Sequence, residues 1–231
     1  MQTGLHLSIH AFEPAAWDAL NPSCYPGLLH GFLSALEDSK SVGEGTGWRP
    51  LYASVTEHNE LVGAIVCYLK SDSYGEYVFD WTWADAYHRH GLNYYPKCIT
   101  AIPFTPASGP RVLIKHDADQ KEITRLLIET LKKELTGRVS SWHILYPDED
   151  SYQCFETSDA WLERFGVQFH WFNQGFTNFD DHLATFNSKR RKEVRRERRR
   201  VAEQGITFER LSGHDIDGDA LDTLFQCYQM T

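Results

Sequence analysis

Four places in this sequence set reactive side chains close enough along the chain to act together. In the first, Asp80 stands among Trp81, Trp83 and Tyr87. Apolar walls of that kind push a carboxyl pKa up toward the range of a general base. An aspartate just before Thr82 and Trp83 is also suited to cap a helix. Tyr87, Tyr94 and Tyr95 follow, phenols that donate a proton, stack on a substrate ring or simply pack in a core. His88 and His90 lie two residues apart, so on a helix they face different sides and do not pair on a metal. In the second place, Ser108-Gly109-Pro110-Arg111 brings a hydroxyl, backbone amides and a guanidinium together, the chemistry that holds an anionic group. Pro106 and Pro110 each remove an amide donor, and a rigid turn explains the same residues.

The third place is His170, in VQFHWFN. As a strand, that segment puts Gln168 and His170 on one face and Val167, Phe169 and Trp171 on the other, a candidate cleft wall or a solvated sheet face. The fourth is the run Lys189 to Arg200, KRRKEVRRERRR, with nine of the chain's 23 basic residues and two of its 32 acidic ones. An arginine face there, with Arg190, Arg191 and Arg195 as the candidates, would grip phosphates through bidentate hydrogen bonds. A solvated helix in which Glu193 and Glu197 each pair with an arginine is the plainer alternative.

These residues need elements to position them. The periodicity predicts a strand at Leu5–His10, a proline-started helix at 14–20 and an apolar-periodic helix at 28–36. Arg49 to Asp72 reads as a hairpin around Glu57-His58-Asn59-Glu60. Tyr77–Trp81 and Tyr95–Pro103 are predicted strands on either side of a short helix ended by Gly91. RVLIK is a short strand, and a long helix follows with Ile123, Leu126, Leu127 and Leu131 on one side, capped by Asp117 or Asp119. A strand SWHILYP, a helical stretch leading to AWLERFG and the strand VQFHWFN complete the series. Beyond Phe179 come a short helix, the basic helix closed by Gly205, a strand ITFERLSG, and a helix with Leu221, Leu224, Phe225 and Tyr228 on one face. A strand with one such helix does not bury its own apolar face. The chain therefore reads as a fragment, inactive alone, whose second domain continues past Thr231.

Composition narrows the classes. No run of eighteen apolar residues occurs, and MQTGLHLSIHAFEP lacks the basic and apolar regions of a secretory signal. A cytoplasmic protein with no membrane span is the expectation. The five cysteines are scattered singly, without the CxxC spacing of a zinc site or redox pair, and no metal is expected. The net charge of −9 divides into +7 on the basic run and −16 on the rest. That asymmetry favours a local anionic partner over general nucleic-acid binding.

The order of elements is that of a GNAT-type acyltransferase domain, and Asp80 to Leu113, DWTWADAYHRHGLNYYPKCITAIPFTPASGPRVL, makes the likeness more specific. It resembles the signature of the bacterial FemAB-like N-acyltransferases, which runs D-W-x-W-A-x-A-Y, then Y-Y-P-K, then P-F-T-P-x-x-G-x-R. FGVQFHWFNQGF and SKRRKEVRRERRRVAEQGI resemble two later blocks of that family in the same order. The resemblance implies an α+β fold: a GNAT-like mixed sheet flanked by helices in residues 1–178, then a basic linker helix and the start of a second GNAT-like domain in 179–231. It also implies transfer of an acyl or aminoacyl group from an anionic carrier to an amine. The acceptor would be a small molecule or peptidoglycan precursor. The donor would be acyl-CoA or a tRNA-type donor such as aminoacyl-tRNA, with no permanently bound cofactor. The (Q/R)-x-x-G-x-(G/A) pyrophosphate loop of GNAT domains has no counterpart here. In this reading Asp80, Tyr87 and His170 are catalytic, while Trp83, Tyr94, Tyr95, Ser108, Gly109, Arg111, Arg190, Arg191 and Arg195 bind substrate or carrier. The alternative is a non-catalytic GNAT-fold protein that binds nucleic acid or an acidic partner through its basic helix.

Overall fold

The computed structural model describes residues 1–156 and 161–230, and the chain divides into two compact units, Met1–Arg164 and Phe165–Thr231. In the first unit, strand β1 (Gln2–His6) starts earlier than its apolar pattern suggests. Ile9–Ala11 turns instead as a 3-10 helix, because the Ser8 hydroxyl accepts from the His10 amide and caps it. Helices α1 (Pro14–Asp18) and α2 (His30–Asp38) follow. The expected hairpin is present as β2 (Trp48–Glu57) and β3 (Glu60–Lys70). Its two turn residues, His58 and Asn59, both have positive φ, the conformation that matches the twist of a tight hairpin.

After β3 the chain runs without regular structure to α3 (Trp81–Arg89), so the strand expected at Tyr77–Trp81 does not form. Tyr77 has a φ of 58°, outside the extended region. Gly91 closes α3 with a positive φ, as expected. Then come β4 (Lys97–Thr100), the two-residue β5 (Leu113–Ile114), α4 (Gln120–Leu135), β6 (Trp142–Ile144) and α5 (Glu149–Glu156). Asp119 caps α4 by accepting from the Glu122 amide. The sheet runs β1-β2-β3-β4-β6, with β5 on β3. All pairings are antiparallel except β4 with β6, which is parallel.

Alternation along the central hairpin divides two cores. Tyr52, Ala64, Val66 and Tyr68 face α1 and α2, beside Trp17, Leu28 and Leu33. Leu51, Ala53, Ile65 and Cys67 face α4, where Ile123, Leu127, Leu131 and Leu135 are buried. The fold is thus α+β, a mixed sheet flanked by helices on both faces.

The second unit contains α6 (Phe179–Ala184), α7 (Ser188–Glu203) and α8 (Gly218–Gln229). The basic helix is as expected, with Asn187 as its cap. The strands expected at VQFHWFN and ITFERLSG are absent among the described residues, since alternation makes a strand only where a neighbouring edge accepts its backbone hydrogen bonds. The units meet at Arg164–Phe165, ahead of the boundary expected after Asn178. The helical stretch expected before Trp161 falls partly on residues 157–160, outside those described.

Candidate active site

Strand β3 ends on Lys70 and β4 begins on Lys97, and the two lysines are cross-strand partners. Both are fully buried. A buried ammonium is stable only when paired and hydrogen-bonded, and the segment from Ser71 to Asp80 supplies the partners. Lys70 donates to the Tyr74 carbonyl at 3.1 Å and sits 3.9 Å above the Trp48 ring, with Asp72 Oδ1 at 3.4 Å. Burial lowers its pKa despite the nearby carboxylates Asp72 and Glu76. Lys97 Nζ donates to Ser73 Oγ at 2.8 Å, to Glu76 Oε2 at 2.7 Å and to Asp80 Oδ2.

The cluster extends past the lysine. Tyr94 donates its phenolic proton to Asp80 Oδ2 at 2.6 Å, and the same hydroxyl lies 3.5 Å from His143 Nε2. That nitrogen is 2.8 Å from Ser141 Oγ. Tyr95 shares a 2.8 Å hydrogen bond with Ser73. Parallel pairing places His143 beside Ile99, which brings β6 to the Tyr94 end of β4. One oxygen of each acid, Glu76 Oε1 and Asp80 Oδ1, is buried with no hydrogen-bond partner, although Asp80 is only 1 % exposed.

These contacts set the protonation states. Burial works to raise the Asp80 pKa, but hydrogen bonds from Lys97 and Tyr94 outweigh it and hold the carboxyl below its usual value. Glu76 goes the other way, because burial dominates and raises it. Burial and the bond to Asp80 push the Tyr94 phenol far up. Burial, with Lys97 adding repulsion, lowers His143 to about 4. At neutral pH the arrangement is therefore an ionised Asp80, a protonated Tyr94 and a neutral His143 in line. A fixed proton donor beside a neutral imidazole can give a proton to one reacting group and take one from another.

The sequence pattern of the FemAB-like family, described as peptidoglycan biosynthesis/recognition, matches residues 8–231. The chain belongs to the FemAB-like family. No curated protein matches it. Among solved structures, it is similar to the ribosomal-protein-alanine N-acetyltransferase from Brucella melitensis biovar Abortus 2308, with 15% identity and a TM-score of 0.44 over 73% of this chain and 99% of that one. It is also similar to the aminoglycoside N-acetyltransferase AAC(6')-Iy in complex with CoA, with 9% identity and a TM-score of 0.38 over 75% of this chain and 99% of that one.

In this FemAB-like chain the residues singled out by type fall into two groups. Asp80, Tyr94 and Tyr95 come together at Lys97, and Tyr87 borders them, its ring centroid 5.1 Å from that of Tyr94. Trp83 is exposed, 6.4 Å from the His143 ring and beneath the Arg164 guanidinium. Asp80 occupies the cap position of α3 but makes no capping hydrogen bond, since its carboxylate turns to Lys97 and Tyr94. The expectation of a raised pKa is corrected by those two donors.

The second group does not assemble. Arg111 is buried and donates to the carbonyls of Leu145, Pro110 and Ala107 at 2.7, 2.8 and 2.8 Å. Burial lowers its pKa to about 10. The Gly109 amide is bonded to the Tyr146 carbonyl, and the exposed Ser108 offers its carbonyl to Tyr25. The loop is a latch between segments, with the Arg111 guanidinium and the Gly109 amide engaged on carbonyls. His170, without a strand to orient it, is exposed and stacks on Phe172. Arg191 caps α6 by donating to the Leu183, Ala184 and Phe186 carbonyls. Arg195 pairs with Asp180 and Arg190 with Glu193, so all three predicted carrier-binding arginines have partners within their own unit.

Lys97, Glu76, Ser73 and His143 were not singled out by sequence. Lys97 did carry a signal, as a lysine opening an otherwise apolar strand Cys98-Ile99, where a charge is retained only if paired.

Proposed function

We propose that this chain is an N-acyltransferase that moves an acyl or aminoacyl group from an anionic carrier to an amine, working in the cytoplasm where acyl-CoA and aminoacyl-tRNA donors are made. The acceptor class is a peptidoglycan-precursor amine. The observation that carries this reading is the FemAB-like match over residues 8–231. The Lys97, Asp80, Tyr94 and His143 cluster supports it, because the reaction needs one proton removed and one returned.

In this mechanism the acceptor nitrogen attacks the donor carbonyl carbon and a new C–N bond forms. The proton leaving the nitrogen is relayed through neutral His143, whose lowered pKa makes the imidazole a transient carrier and not a resting place for the charge. As the bond from the carbonyl carbon to the departing sulfur or oxygen breaks, Tyr94 returns a proton to that atom. The contact between Tyr94 and His143 lets the proton taken up at the imidazole restore the phenol. Asp80 is a positioning residue that orients the Tyr94 hydroxyl, and Lys97 holds Asp80.

The test is a transfer assay on the purified protein, with acyl-CoA and aminoacyl-tRNA as separate donors and mass detection of the N-acylated precursor. Tyr94→Phe is expected to lower kcat by about 100-fold with little change in KM, the size of effect typical of a lost proton donor. Ser108→Ala is expected to leave both unchanged. Full kcat in Tyr94→Phe would refute the proposal.

A further inference from the structure

The basic helix α7 has two faces with different roles. Its inner face is consumed by the second unit: Arg191 caps α6, Arg195 pairs with Asp180, and Arg198 lies 4.2 Å over the Phe179 ring. Lys189, Lys192, Arg196, Arg199 and Arg200 are exposed and make no ion pair with any described residue. Their spacing of three, four, three and one residues keeps them within about 100° of one another around the helix, along about 16 Å of its length. Of the acids nearby, Glu193 is taken by Arg190, Glu197 flanks the stripe beside Arg196 and makes no ion pair with any described residue, and Glu203 lies at the C-terminal end of the stripe. Like charges three and four residues apart destabilise a helix, and an external anion would relieve that repulsion.

We propose that this stripe docks the protein on the anionic phosphate surface of a lipid bilayer. Shape decides between the polyanions that could satisfy it. A helix entering a nucleic-acid groove lies between two phosphate backbones, and Glu193 and Glu197, which the helical spacing puts on one flank of the stripe, would face one of them. Here one side of α7 is committed to α6, leaving a single straight stripe that lies flat on a plane. Clusters of four to eight basic residues on one helix face bind anionic lipid, with each cation strengthening partition by roughly 5-fold. The chain's net charge of −9 leaves the stripe as the source of attraction, so binding falls steeply with salt. This inference is independent of the acyl-transfer reading, and the two can fail separately.

The experiment is sedimentation of the full chain with phosphatidylcholine vesicles, with and without phosphatidylglycerol, at low and high salt. Pelleting is expected only with phosphatidylglycerol and low salt. The triple variant Lys192→Glu, Arg196→Glu, Arg199→Glu is expected to lose roughly 100-fold or more in partition, as three cations at that increment require. The charge-matched control Arg49→Glu, Lys121→Glu, Lys133→Glu, all exposed in the first unit, is expected to retain binding relative to that variant. Circular dichroism checks that α7 persists in both. No pelleting of the wild-type chain, or equal loss in the two triple variants, overturns the proposal. Stripe-dependent binding to an RNA duplex that exceeds vesicle binding at equal phosphate concentration assigns the stripe to nucleic acid instead.

Discussion

At the scale of single residues, the site depends on one buried ammonium paired with two buried carboxylates. Lys97 is 0 % exposed, with Glu76 and Asp80 nearly as buried. Removing one partner of such a group costs roughly 3–5 kcal/mol, because a charge is left without compensation in a medium that solvates it poorly. The same cost fixes the geometry, since the lysine holds both acids in place. His143 gives the cluster a measurable pH signature. Its folded-state pKa of about 4 lies below the ordinary 6.5, so between those values the unfolded chain binds a proton that the folded chain refuses. The stability linked to it is complete above pH 6.5 and is lost as pH falls toward 4. Urea unfolding across that window should show the wild type losing roughly 2–3 kcal/mol more than His143→Gln, which cannot titrate. Glu76, whose raised pKa acts in the opposite direction, is present in both proteins and cancels in the comparison. Equal pH slopes for the two proteins would mean that His143 is not held neutral by the fold.

The legibility of the site follows from the same physics. Asp80, Tyr94 and Tyr95 were readable because acids and phenols concentrated among aromatics are conspicuous in one sequence window. Glu76, Lys97 and His143 were not, because their partners lie far along the chain: Lys97 to Asp80 spans 17 residues and Tyr94 to His143 spans 49. The sheet alone brings them together. Arg111 misled for a related reason. A guanidinium in a Pro/Gly loop reads as an anion ligand, and only the positions of the Leu145 and Ala107 carbonyls show that it is already satisfied.

At the scale of elements, close packing of α4 on β3 governs the frame that carries the site. Gly63 lies where a Cβ would collide with the Ile123 side chain, and Ile123 is fully buried. Gly63→Ala is therefore expected to cost about 1–3 kcal/mol through overpacking, read as a lower denaturation midpoint with an unchanged m-value. A neutral or stabilising result would show that the helix shifts freely on the sheet. Helices were the more legible elements, as α4 declares itself through its capping residue and apolar periodicity, and α7 through a charged run closed by Gly205. Strands were less so. β3 was recognised with its hairpin partner, whereas VQFHWFN alternates as well as any strand and forms none, because pairing needs an edge elsewhere in the chain.

At the scale of the whole molecule, the buried apolar side chains lie almost entirely in the first unit, running from Ile9 to Phe155, with Leu183 the exception. Residues Met1–Arg164 expressed alone are expected to unfold in one cooperative thermal transition and to keep near-ultraviolet circular dichroism. A broad, non-cooperative melt would count against their independence. Among the described residues no helix is long and apolar enough to cross a membrane.

The charge division, the mixed α+β character, the hairpin, the long helices and the FemAB-like likeness were all present in the order and types of residues, since each depends on patterns local along the chain. The tertiary fold selected which charges are spent and which are free. It enclosed Lys97 with Glu76 and Asp80, turned Arg111 and Arg191 onto carbonyls, and left one stripe of α7 without partners. Those outcomes depend on which distant groups compete for each donor once water is excluded, and a single sequence does not state that competition.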